Sequence, residues 1–348
     1  MFGTRKCRLM VLGSVALTVG GVLAVNGAWA APPVEAEVQG LYEGKGKDRA
    51  GDFKLEARVV AEGNGTYLVL VRQMRGDGKI ARVELLGKTT GDTVELAGNA
   101  VALEWKGRCT ACAIRGECGP DGKFELHRVD KKSPTCGKKP PQGAVVLLDG
   151  KDSSEMVRQN GAKWELDKFN LGDDGSIQVP GGGMTSKRSF EGSFDLHVEF
   201  MVPLMPSAHS QARGNSGVFL TNSDEIQVLD SFGDTTYVGG GCGGIYPYKD
   251  PDVMEVIESL KGKGDCKFTL ASYPPLAWQT YDVQYRVAMK DGKPEGKPRV
   301  TVWHNGIKIH DNFEIRGAAI PYSPKGKFHF QDHGNPVRFR NIWVLPVP

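Results

Sequence analysis

Short apolar runs broken by turn residues every ten or so positions fill the chain, and most of them alternate apolar with polar. Alternation of period two is the mark of a strand with one buried face. FKLEARVVA (53–61), TYLVLVRQM (66–74), ARVELLG (81–87), DTVELAG (92–98), VALEWKG (101–107) and KFELHRV (123–129) predict strands, separated by turns such as EGNG, RGDG and GPDG. Further on, SFDLHVEFMV (193–202) and TYDVQYRVAM (280–289) alternate in the same way. RVTVWHNGIKIHDN (299–312) predicts a hairpin about Asn305-Gly306, a dipeptide suited to the positive φ angles of a tight turn. Helical spacing is scarce, and DVMEVIESLKG (252–262) is its best candidate. The 46 glycines and 20 prolines agree with an all-β protein.

Composition divides the chain. A basic start followed by an apolar run and Ala28-Trp29-Ala30 makes residues 1–30 a secretory leader, so the expected mature protein is exported, periplasmic or secreted, with no membrane span. Residues 36–132 form a small β domain, the lysine- and proline-rich 133–143 a linker, and 144–348 a second domain large enough for a two-sheet jelly roll. Arg5, Lys6 and Arg8 account for the whole net charge of +3, and the remainder has no electrostatic reason to seek nucleic acid. Cys109, Cys112, Cys118, Cys136, Cys242 and Cys266 follow the leader; an even number in an exported chain predicts disulfides and no free thiol. A zinc site on the first four is the alternative, although their spacing does not repeat a paired knuckle.

The candidate chemistry lies in RGNSGVFLTNSDEIQVLDSF (213–232). Strand alternation puts Val218, Leu220, Ile226 and Val228 on a core face and Asn215, Gly217, Phe219, Glu225 and Gln227 on the other, with Phe219 expected across from Gln227. An amide, a carboxylate, a flat ring and a glycine that leaves room suit a sugar-binding groove. Asp230 falls on the core parity and needs a bulge or the strand end to reach it. In KFHFQDHGNPVRFRNIWV, Phe328 and Phe330 alternate with His329, Gln331 and His333, and Arg338 or Arg340 is placed to meet a groove carboxylate. His304 and His310, flanking a hairpin turn, are expected to be exposed.

RGNSGVFL, EIQVLDSFG, CGGIY, WQTYDV, VWHNGIKIHDN and QDHGNPVRFRNIWV, in this order, resemble the 3-keto-disaccharide hydrolase domain family from about Gly143 to Pro348. The resemblance implies a concanavalin-like jelly roll of two antiparallel sheets and action on glycosides or oligosaccharides whose ring carries a ketone at carbon 3. Residues 246–266 are longer than the family's usual loop, and the N-terminal β domain falls outside the resemblance. A carbon 3 ketone acidifies the carbon 2 proton and makes the carbon 1 oxygen a leaving group, so base-catalysed elimination followed by hydration can break the bond. His333, Glu225 and Asp230 are the candidate proton carriers; Arg213, Asn215, Phe219, Gln227 and Gln331 are the candidate substrate-binding residues. A divalent metal ion is a candidate electrophile. A carbohydrate-binding module without turnover, and a conventional glycosidase using Glu225 with Asp230, are the competing readings.

Overall fold

The computed structural model describes residues 34–100, 103–158, 171–221, 224–234, 236–258, 265–291, 293–315 and 325–347; the leader-like residues 1–30 lie outside these. The chain divides into two compact units. One holds the residues through Ala61 together with Gly65–Asp130, the other Glu62–Asn64 with Lys131–Pro348.

The first unit is a closed barrel in which each strand neighbours the next. Its strands are β1 (Gly40–Asp48), β2 (Gly51–Gly63), β3 (Thr66–Met74), β4 (Ile80–Thr90), β5 (Thr93–Ala100), β6 (Leu103–Cys109), β7 (Ala113–Cys118) and β8 (Gly122–Val129). The six sequence-predicted strands fall on β2, β3, β4, β5, β6 and β8. Inward positions such as Tyr42, Leu55, Val69, Val83, Leu96 and Leu126 fill the lumen as one core. β1 closes the barrel against β8. At this seam Gly44 allows the strands to approach, since a Cβ there would lie 2.0 Å from the Glu125 carbonyl oxygen.

The second unit is a sandwich of two antiparallel sheets, as expected for a jelly roll. The first sheet runs in the order β10 (Met156–Arg158), β12 (Met184–Ser186), β24 (His329–Phe330), β15 (Ser216–Leu220), β16 (Asp224–Val228), β17 (Ile245–Tyr246). The second has the order β11 (Ile177–Gln178), β25 (Arg338–Val347), β14 (Ser193–Met201), β20 (Gln279–Lys290), β21 (Lys293–His304), β22 (Ile307–Glu314), with β9 (Val145–Leu148) also paired to β25. Two short pairs, β13 (Phe190–Glu191) with β23 (Lys325–Gly326) and β18 (Met254–Glu258) with β19 (Asp265–Thr269), complete the described strands.

Alternation builds the core between the two sheets. Val218, Leu220, Ile226 and Val228 are fully buried there, as their parity predicts, against Leu196, Val198 and their neighbours from the opposite sheet. The Tyr281 hydroxyl crosses the layer and donates to the Gln227 carbonyl at 2.7 Å, pinning β16 from beneath. The Asn305-Gly306 turn forms as predicted, with φ of 51° and 79°.

Several expectations are overturned. The described part of the helical candidate 252–262 contains β18, because cross-strand pairing with β19 outweighs local spacing. Residues 133–138 are not a free linker but a strap on the second unit: Ser133 and Thr280 share a 2.6 Å hydroxyl contact, and Lys138 pairs with Asp282 at 3.0 Å. His304 and His310 are fully buried rather than exposed, bonded to the Gln279 side chain and the Gly243 carbonyl respectively. Burial pushes the His310 pKa down to about 4, so it stays neutral. Cys109, Cys118, Cys136 and Cys242 carry free thiols, contrary to the disulfide expectation. Cys109 and Cys118 cannot pair because they stand opposite Ile114 and Trp105, well apart along one hairpin. Cys242 instead lies 3.1 Å from the Tyr281 hydroxyl. Cys112 is disulfide-bonded, and the Cys266 side chain lies outside the described residues.

Candidate functional site

The outer face of the first sandwich sheet carries a polar row in strict register. His329 pairs with Phe219, Phe219 with Glu225, and Glu225 with Tyr246, spanning β24, β15, β16 and β17. The next rung joins Gln331 through its backbone to Gly217, which stands opposite Gln227. Phe219 therefore faces Glu225 rather than Gln227. Leu220 pairs with Asp224 in this register, and a shift of two residues keeps every side chain on its predicted face. Phe219 and His329 present their rings 5.3 Å apart, which gives the row a half-buried aromatic platform.

Glu225 is the chemically unusual member. Its side chain lies over β15 because Gly217 has none: a Cβ there would fall 1.9 Å from Glu225 Oε1. The residue is only 5% exposed and Oε1 has no hydrogen-bond partner. Burial without a compensating donor penalises the charged form, so the carboxyl pKa is raised to about 7. A group poised there can accept a proton near neutral pH and give it back.

A second layer orients the amides. The Asn215 and Gln227 side-chain nitrogens both donate to Gln211 Oε1, at 3.1 and 3.3 Å. Gln211 is itself held by donating through Nε2 to Thr236 Oγ1 and the Gly240 carbonyl, each at 2.9 Å. With their nitrogens so committed, Asn215 and Gln227 are left with buried carbonyl oxygens that have no partner. Together with Glu225 Oε1 they are three acceptors on one sheet face awaiting donors. Gln211 sits in a single 3-10 turn, Ser210–Ala212, where no periodicity marks it; the notable signal is that it is an amide four residues before Asn215.

The other predicted residues divide. Arg213 and Asp230, 1% and 2% exposed, bind one another at 2.6 Å, and Arg213 also donates to the Pro206 and Ala208 carbonyls. This pair braces the segment that carries Asn215. His333 is exposed in the turn after β24, which is tied to the row where Asn335 accepts from the Asn215 backbone at 2.7 Å. Gln331 is half-buried beside it. Arg338 and Arg340 do not meet the groove carboxylate, because β25 belongs to the opposite sheet; Arg338 binds Ser176 and Arg340 binds Glu199. Among the described residues, no cluster of three His, Cys, Asp or Glu side chains is arranged to hold a metal ion.

Residues 143–345 match the 3-keto-alpha-glucoside-1,2-lyase-like domain. Two crystal structures of candidate glycosyl hydrolases from Parabacteroides distasonis ATCC 8503 are similar to the chain. The first is 32% identical, over 60% of this chain and 85% of that one, with a TM-score of 0.48. The second is 21% identical, over 59% of this chain and 95% of that one, with a TM-score of 0.39. No curated protein matches.

Proposed function

The chain belongs to the 3-keto-alpha-glucoside-1,2-lyase-like domain family, whose members act on carbohydrates, and from that premise we propose that it breaks the glycosidic bond of 3-keto glycosides or disaccharides by elimination and hydration. The observation that carries the reading is Glu225, a nearly buried carboxyl with an unpartnered oxygen and a pKa raised to about 7.

The Glu225 carboxylate takes the carbon 2 proton, and the electron pair of that bond forms an enolate with the carbon 3 ketone. Collapse of the enolate regenerates the ketone, forms a carbon 1 to carbon 2 double bond and expels the carbon 1 oxygen, which must be protonated. Water then adds to carbon 1 and a proton returns to carbon 2. Exposed His333, on the turn bordering the row, is the proposed acid for the departing oxygen. The Asn215 and Gln227 carbonyl oxygens accept substrate hydroxyls, while Phe219 packs against the ring. The same oxygen donors fit a hard divalent ion, which would add Lewis-acid stabilisation of substrate oxygens when bound. A retaining glycosidase needs a second carboxyl about 5 Å away and free to attack; Asp230 is engaged by Arg213 instead.

Side-by-side turnover of a 3-keto disaccharide and its unoxidised parent tests the proposal. Cleavage of the oxidised sugar alone is expected, with a loss of roughly a hundredfold or more in His333→Ala. Equal cleavage of both sugars would establish a conventional glycosidase, and saturable binding of both without cleavage a binding module.

A further inference from the structure

The groove is one-sided in its hydrogen bonding. Asn215, Gln227 and Glu225 offer it unpartnered oxygens. A ketone oxygen, and still more the enolate formed from it, has lone pairs and no hydrogen, so against these groups acceptor would meet acceptor. Hydroxyl donors stand elsewhere in the same row.

Tyr246 on β17 is the cross-strand partner of Glu225, which puts the two side chains on one face with Cβ atoms about 5 Å apart. Its hydroxyl lies 2.9 Å from that of Tyr237, which reaches in from the loop before β17 and is 50% exposed. In such a pair one hydroxyl donates to the other, and the accepting oxygen keeps its own hydrogen for a third group, more strongly polarised than in an isolated phenol. Burial, with Tyr246 and the nearby Glu225 carboxyl adding to it, raises the Tyr237 pKa to about 12, so Tyr237 remains protonated at neutral pH.

We infer that the paired hydroxyls of Tyr237 and Tyr246 receive the ketone oxygen of the substrate and stabilise the enolate that forms when Glu225 removes the neighbouring proton. The inference rests on the function proposed above and adds to it the residue pair that makes the ketone recognisable. Carbons 2 and 3 are bonded neighbours, and the row supplies a base and a donor on adjacent strands to match. As charge moves from the carbon 2 bond to the ketone oxygen, the hydrogen bond from the tyrosine pair strengthens, and it weakens again when the carbon 1 oxygen leaves and the ketone reforms. No proton has to pass from tyrosine to substrate. The arrangement also predicts orientation: the ketone lies toward β17, and the unoxidised hydroxyls lie toward Asn215 and Gln227.

The test uses the full chain and the variants Tyr246→Phe, Tyr237→Phe and the double variant, which remove only the hydroxyls. With a 3-keto disaccharide, kcat should fall by about a hundredfold in Tyr246→Phe, and the double variant should be little worse because the hydroxyls act as one unit. Calorimetric binding of the unoxidised disaccharide should stay within about twofold of the parent, since no ketone is present to lose its donor. Near-normal kcat in the double variant would sink the inference while leaving the proposed function standing. Parallel loss of turnover and of unoxidised-sugar binding would reduce the tyrosines to a structural edge. Inactivity of the unmodified protein on 3-keto glycosides would sink the function and the inference together.

Discussion

Two glutamates stand at outward positions of strands in the two sheets of one sandwich, and they have opposite chemistry. Glu199 on β14 accepts from the Gly137 backbone, from Asn341 and from Arg340 Nε at 2.8 Å, beside His197 at 3.6 Å. These partners hold its pKa well below the usual carboxylate range although it is buried. Glu225 on β16 is nearly as buried and has an oxygen with no partner, and its pKa rises to about 7. Strand parity and burial are common to both; the number of donors is what separates a carboxylate that fastens a strap from one that can move a proton. A satisfied buried charge stabilises, and an unsatisfied one is an energetic cost that persists where chemistry needs it.

Removing either glutamate should expose the contrast. Glu199→Ala leaves Arg340 without its carboxylate and frees the strap at Gly137, so urea unfolding should show a loss of about 3 kcal/mol or more; turnover per folded molecule should be unchanged. A stability change under about 0.5 kcal/mol would place the network among surface ion pairs of little worth. Glu225→Gln should lower turnover by roughly a hundredfold and yet stabilise the protein at alkaline pH. The sign follows from the direction of the shift. A carboxyl raised from 4.5 to about 7 in the folded state favours folding below its unfolded pKa and loses that contribution as pH rises through the folded value. The parent should therefore weaken relative to Glu225→Gln between about pH 4.5 and 8, by an amount on the order of 3 kcal/mol. Parallel pH–stability curves for the two proteins would contradict the raised pKa. The smallest effect belongs to Gly217→Ala, where the added methyl collides with Glu225 Oε1. The far end of that side chain can swing aside at little cost in stability, so the melting temperature should hold while turnover falls roughly tenfold. An unaltered rate would mean that Glu225 does not act from its place over β15.

Much of this was legible along the chain. Alternation alone assigned Val218 and Ile226 to the core and Phe219, Glu225 and Gln227 to the opposite face, since period two needs no knowledge of the partner strand. Register was not legible, because alternation fixes which face a side chain takes and not which residue it meets across the hairpin, and Phe219 faces Glu225 instead of Gln227. The expected contact of Arg338 or Arg340 with a groove carboxylate fails for a related reason: their strand joins the other sheet, a fact of topology with no local trace. Gln211 has no signature in the sequence because a single turn of 3-10 helix carries no periodic pattern. β1 and β7, GLYEGKGKD and AIRGEC, give no strand signal along the chain because glycine and charge interrupt their alternation. The same glycines let neighbouring backbones approach closely in a small barrel.

Closure of that barrel has a bearing on how the first unit can be lost. Each sandwich sheet has terminal strands, and detaching one moves an existing edge inward by a single strand. The barrel has none to give up. Stripping β1 away by proteolysis would create two edges at once, on β2 and on β8, each offering unpaired backbone groups to other chains. Its integrity is thus a property of the ring rather than of any segment, and partial trimming should be felt as whole-unit failure and self-association rather than as gradual fraying.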